Sequence, residues 1–255
     1  IRDRYQREIE IPAAWKGKRI FLYFERTHWL SSVYVGKEEV SKIDYISIPH
    51  NHELTQWLHP GKKELITFCI DNRYQYDTHK WDHAHSEFTQ INWNGVLGEI
   101  KLVAVDPVYV DDMQVYPDIK NKSIKVKMTV RNCTEHTASG KISFHVTGKD
   151  YRLQKEVPVT VTDSITYIEE EMFLGKDIHL WNEFHPNLYT LDCKLTSSVE
   201  GQSYAHEKST TFGMREVEAG EDHIILNGEP IHLRGTVENA VFPKTGYAPV
   251  DDASW

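Results

Sequence analysis

The chain has 255 residues, 40% apolar and 26% charged, with a formal net charge of -9. That length accommodates two domains of ordinary size with a remainder, and the composition is that of an ordinary globular protein. With no block of five Lys and Arg the balance excludes a phosphate-backbone partner, so nucleic acid is not expected. No apolar run approaches the roughly 20 residues that span a bilayer.

Taken in chain order, the signals are those of strands. Period-two alternation runs through Ile20, Leu22 and Phe24, then Ile124, Val126, Met128 and Val130, then Ile142, Phe144 and Val146, then Tyr189, Leu191, Cys193 and Leu195. Alternate side chains face opposite sides of a strand, so each run buries one face and wets the other, and the chain is predicted to be all-β. Gly36-Lys37, Pro60-Gly61, Ser139-Gly140 and Glu200-Gly201 are expected turns between such runs. Asn227-Gly228, between Ile224-Ile225-Leu226 and Ile231-His232-Leu233, is a strong hairpin signal, because a type I′ turn needs positive φ at both central residues. Asp106-Pro107 ends the strand Ile100 to Val105 and sets a domain boundary near 105; a second falls near Thr211. Cys69, Cys133 and Cys193 are widely spaced and odd in number, and are expected as small buried side chains on strands. A secretory leader is not visible, and no compartment follows from the sequence.

Several strings then resemble one family in order. Tyr5-Gln6-Arg7-Glu8-Ile9-Glu10-Ile11-Pro12, Trp15-Lys16-Gly17-Lys18-Arg19-Ile20, Leu58-His59-Pro60-Gly61 and Ile70-Asp71-Asn72 lead; Trp181 to Tyr189 follows; Phe212-Gly213-Met214-Arg215, Asn227-Gly228 and Leu233-Arg234-Gly235 close the series. This order resembles the amino-terminal part of glycoside hydrolase family 2, the family of β-galactosidases, β-glucuronidases and β-mannosidases. The resemblance implies a jelly-roll, galactose-binding-like sandwich over 1–105, an immunoglobulin-like β-sandwich over 106–212, and over 213–255 a linker with the first strands of a truncated TIM barrel. It also implies a chain cut at both ends.

By the same resemblance, the parent enzyme hydrolyses terminal β-glycosides with retention. Such enzymes need two carboxylates about 5 to 5.5 Å apart. In the family both are glutamates on later barrel strands, beyond Trp255, so no catalytic residue is assigned and the fragment is expected to be inert. Substrate-binding candidates are Asn92, Trp93 and Asn94, at the place of a family segment that reaches from the jelly roll toward the barrel mouth. Indole stacks on the apolar face of a sugar, and an amide offers a donor and an acceptor to hydroxyls. An Asn-capped turn with a packing Trp is the competing account. Glu238 and Asn239 are further candidates, just past the first barrel strand, against the simpler account of an exposed loop. Here the sequence departs from family β-galactosidases, since Asn239 stands where they carry a histidine.

His79, Asp82, His83 and His85 have metal-ligand side chains, but no Cys pair or His-Glu-x-x-His spacing supports them, and a polar surface segment is preferred. Neither metal nor cofactor is expected. Glu169-Glu170-Glu171 reads as a solvated run and Asp251-Asp252 as a polar loop. The implied partners are the parent enzyme's carbohydrate substrate and further copies of the chain in a homo-oligomer. The alternative function is a non-catalytic carbohydrate-binding or adhesion module built from the same two sandwiches.

Overall fold

The computed structural model describes residues 2–46, 48–73, 76, 93–237, 242–245, 249, 251 and 253. The chain divides into two compact units, Ile1–Ala104 with Gly235–Trp255, and Val105–Arg234. Strands dominate both, and among the described residues the helical element is a 3₁₀ turn at Ala13–Trp15.

The first unit holds β1 (Arg2–Glu10), β2 (Arg19–His28), β3 (Leu30–Val35), β4 (Glu38–Asp44), β5 (His50–Glu53), β6 (Lys63–Asp71) and β7 (Gly95–Val105). They form a four-stranded sheet, ordered β1-β6-β3-β4, and a three-stranded sheet, ordered β5-β2-β7. Ile20, Leu22 and Phe24 point inward as the alternation predicts, meeting Val33, Leu54, Leu58 and Ile66 in one apolar cluster. Each such side chain contributes about 1.5–3 kcal/mol by leaving water.

This core also contains a polar chain. Ser31 on β3 and Ser41 on β4 meet His50 and His52 on β5, and both histidines are fully buried. His50 Nε2 donates to the Tyr45 carbonyl at 2.8 Å, which leaves Nδ1 to accept from the Ser31 hydroxyl at 2.6 Å. Ser31 Oγ then accepts from His52 Nε2 at 2.8 Å, and His52 Nδ1 accepts from Ser41 at 2.8 Å. Every ring nitrogen is used with both imidazoles neutral. Burial lowers the pKa of His50, and it lowers that of His52 to about 3, with the neighbouring His50 acting in the same direction.

The second unit holds β8 (Val108–Asp118), β9 (Ser123–Asn132), β10 (Ala138–Thr147), β11 (Arg152–Val161), β12 (Ile165–Phe173), β13 (Tyr189–Val199) and β14 (Gln202–Phe212). Sheets ordered β12-β9-β8 and β11-β10-β13-β14 enclose a larger apolar cluster that includes Ile124, Val126, Met128, Val130, Ile142, Phe144, Val146, Leu191 and Leu195. The short strands β15 (Val217–Ala219), β16 (Ile224–Leu226) and β17 (Glu229–Ile231) form a third sheet in this unit. The β16–β17 turn carries Asn227 at φ 53° and Gly228 at φ 85°, the positive values a type I′ turn demands. Glu200 and Gly201, between β13 and β14, do the same at φ 47° and 84°.

Two expectations are corrected. Ser139-Gly140 is not a turn but lies inside β10, opposite Ser198 and Ser197 of β13. Glycine is needed there because a Cβ would stand 1.9 Å from the Thr196 carbonyl oxygen, so close strand approach rather than chain reversal explains it. Cys133 is exposed just past β9, whereas Cys69 and Cys193 are buried. Burial pushes the Cys193 thiol up to about 12. Glu169-Glu170-Glu171 lies on β12, with Glu169 and Glu171 exposed and Glu170 half-buried against Lys155.

Candidate substrate-binding site

Trp93 and Asn94 directly precede β7 in the first unit. The carbonyl of Trp93 accepts from His28 Nδ1 at 2.7 Å and from Asn72 Nδ2 at 3.0 Å. Because a carbonyl only accepts, the His28 proton sits on Nδ1. His28 ends β2 and Asn72 follows β6, and both are buried, at 1% and 7% exposure. The imidazole of His28 also lies 5.0 Å from the indole of Trp93, tilted by 36°.

The contact extends into a row of rings. His28 also stacks on Trp29 at 6.5 Å, and Trp29 meets Tyr76 at 6.2 Å. Trp29 is buried and Tyr76 is 63% exposed, while Trp93 is half-buried, so the row is enclosed in the middle and open to solvent at its ends. The hydroxyl of Tyr76 donates to Asp44 at 2.5 Å, an interaction that raises the tyrosine pKa. After Asn94 comes Gly95 at φ 113°, where a Cβ would stand 3.0 Å from the Tyr5 hydroxyl. Backbone angle and space both favour glycine, and the turn into β7 is thereby fixed.

Beside the row, Asp71 at the end of β6 is 3% exposed and bonded by the guanidinium of Arg73 at 2.6 to 3.2 Å, with Arg2 3.8 Å away. The hydrogen bond from Arg73 holds its carboxyl below the usual carboxylate range. A carboxylate so engaged orders the strand end rather than transferring protons. What faces solvent here is the two ends of an aromatic row, the half-buried Trp93 and the exposed Tyr76, groups suited to recognising a sugar ring, while the side-chain oxygen of Asn94 is enclosed.

Of the residues singled out in the sequence, the structure gives geometry to Trp93 and Asn94. Asn92, Glu238 and Asn239 lie outside the described residues, as do His79, Asp82, His83 and His85. Among the described residues no group of three or more His, Cys, Asp and Glu is arranged to hold a metal. His28, Trp29 and Tyr76 were not foreseen, because nothing local in their sequence distinguishes them from other strand ends.

Three of the family-like strings, Trp181 to Tyr189, Phe212 to Arg215 and Asn227-Gly228, come together in the second unit. Leu180 forms a parallel bridge with Met214, and the Trp181 amide donates to the Met214 carbonyl at 2.9 Å. Asn227 Nδ2 donates to the Trp181 carbonyl at 2.9 Å, while Asn227 Oδ1 accepts from the Glu216 amide at 2.9 Å. Arg215 sits 4.7 Å over the Trp181 ring, and a Cβ on Gly213 would come within 2.8 Å of the Trp181 side chain. Asn182 Oδ1 accepts from the amides of Phe184 and His185, closing the turn that precedes Pro186. Tyr189 stacks on Phe212 at 5.6 Å. Tryptophan string, linker and hairpin are thus one structural knot.

The profile of the family described as "Glycosyl hydrolases family 2" matches residues 108–215. The β-galactosidase of Thermoanaerobacter pseudethanolicus is 24% identical over 250 residues, covering 97% of this chain and 33% of the relative. The β-glucuronidase of Sus scrofa is 22% identical, covering 91% of this chain and 38% of the relative. Among solved structures, a glycosyl hydrolase family 2 member from Bacteroides cellulosilyticus superposes with a TM-score of 0.74 at 18% identity, over 89% of this chain and 31% of that one. The Bacteroides uniformis β-glucuronidase 2, covalently bound to cyclophellitol-6-carboxylate aziridine, gives 0.74 at 17% identity over 92% and 29%. These likenesses concern the fold. The chain spans about a third of the length of the first curated relatives it matches. The profile match and the named relatives both point to glycoside hydrolase family 2, and the solved structures agree in fold.

Proposed function

We propose that this chain is the non-catalytic, amino-terminal part of a retaining β-glycosidase that acts on terminal β-glycosides, of the β-galactosidase or β-glucuronidase kind. The observation that carries the reading is the pattern of coverage: relatives named β-galactosidase and β-glucuronidase align with nearly all of this chain while it spans a minority of each. In this reading the first unit is the jelly roll, and β8 to β14 are the immunoglobulin-like sandwich. Residues 213–255 lead into a (β/α)₈ barrel whose two glutamates, one nucleophile and one acid/base, cleave the bond.

The chain's own residues then bind and frame. Trp93 offers its indole to the apolar face of the sugar, and Asn94, its side-chain oxygen enclosed, offers its Nδ2 donor to a hydroxyl. Glu238 and Asn239 are proposed to help bind the same substrate.

The test compares the 255-residue chain with the complete enzyme on a panel of nitrophenyl β-glycosides, following the configuration of the released sugar. The complete enzyme is expected to release a β-sugar first and the chain alone to release none. Turnover by the chain alone, or inversion by the enzyme, would overturn the reading. A complete protein that binds sugars and hydrolyses none would instead support a carbohydrate-binding module.

A further inference from the structure

We propose that His28 and Asn72 are positioning residues that set the Trp93 indole as a preformed platform for a β-linked pyranoside. The inference rests on the reading that Trp93 touches substrate. It adds which side chains hold that contact in place and what their loss does to binding.

The geometry is specific. Two buried side chains, 65 and 21 residues away in sequence, both direct an N–H at the single carbonyl of Trp93. A carbonyl has two lone pairs, and these two donors fill them. His28 does a second thing, since its ring lies against the indole while its Nδ1 holds the backbone of the same residue. Trp93 is therefore fixed at its main chain and along its ring.

Preorganisation of this kind acts on affinity. A tryptophan free to rotate must be ordered when the sugar arrives, whereas one already held loses little on binding. The buried donors are not placed to touch substrate themselves, so they act through Trp93 and not on the reacting atoms.

Isosteric replacements separate this role from simple packing. The amide nitrogen of Asn reaches the place of His Nδ1, and that of Gln reaches the place of Nε2. In the complete enzyme, His28→Gln and Asn72→Ala are each expected to raise KM for a nitrophenyl β-glycoside roughly twofold to tenfold, the effect of one lost hydrogen bond and no more than that of Trp93→Ala, with kcat changed less than about twofold. His28→Asn is expected to keep KM within about twofold of the parent. Trp93→Ala raises KM by itself, and Asn72→Ala added to it raises KM no further, the non-additivity of residues acting through one another.

If Trp93→Ala raises KM while His28→Gln and Asn72→Ala do not, the positioning role is wrong and the substrate-contact reading stands. Additive effects of Asn72→Ala and Trp93→Ala also overturn it. If Trp93→Ala leaves KM unchanged, both readings fall together. Should Asn72→Ala not fold, the His28→Asn and His28→Gln pair decides alone, because both keep a polar amide and differ in where its N–H lies.

Discussion

The two units solve the same problem, a β-sandwich core, with different materials. Among the described residues the first unit buries His28, His50, His52, Asp71 and Asn72 as well as Thr27, Ser31, Ser32 and Thr67, whereas the polar side chains buried in the second are Ser123, Asn132 and Ser197. Burying polar groups costs stability unless each finds a partner, so the first unit spends much of its core on directed hydrogen bonds. In return it fixes geometry, and Trp93 is one thing so fixed. The second unit is held by non-directional burial, as suits a support.

The difference can be broken at its strongest point. Phe144, fully buried between the sheets of the second unit, is expected to cost about 3–5 kcal/mol when replaced by Ala, read as a lower denaturant midpoint of that unit's transition. An unchanged midpoint would mean that this unit is not held by its apolar core.

Acid should separate the units next. The unfolded chain takes up a proton on His52 near the ordinary histidine value of 6.5, whereas the folded form resists it down to about 3. Between these values the unfolded state binds more protons, so stability contributed at neutral pH is lost as pH falls through that window. His50 is the titratable neighbour of His52, and at His50 itself the bond to the Tyr45 carbonyl and then the Asp44 charge oppose the lowering by burial without reversing it. From pH 7 to 4 the first unit is expected to lose about 3 kcal/mol through His52. Asp71, held low by Arg73, adds its loss only below 3.8. Denaturation midpoints measured against pH check this; equal slopes for both units, or a slope that survives His52→Gln, would count against the buried-network account.

A smaller effect sharpens the account of a directed cluster in the second unit. Asn227→Ala removes the bonds to Trp181 and Glu216 and places alanine at positive φ, for a cost of about 1–2 kcal/mol. Asn227→Gly, which keeps the turn but not the bonds, should recover part of that loss in the same unfolding measurement.

The same contrast shows what sequence reveals. Ile124, Val126, Met128 and Val130 alternate with polar residues, and the structure buries all four at 0–2% exposure; local period and outcome coincide because burial is decided strand by strand. Asn227-Gly228 was equally legible, since its constraint lies within two residues. The polar core was not. Ser31, Ser41, His50 and His52 meet only once β3, β4 and β5 have been brought together, and no spacing along the chain encodes that meeting. Gly140 misled because its reason is a carbonyl 56 residues away in sequence, on the neighbouring strand. Of the candidate site, Trp93 and Asn94 were visible as residue types in a family-like position, while the donors that hold Trp93 come from distant strand ends.

The most direct measurement of the central claim is kcat/KM of the complete enzyme carrying Trp93→Ala. Loss of an aromatic contact worth about 0.5–1.5 kcal/mol predicts a decrease of roughly threefold to tenfold, with the unfolding of both units otherwise unchanged. An unaltered kcat/KM in a normally folded variant would contradict the account, leaving the first unit's aromatic row a packing feature.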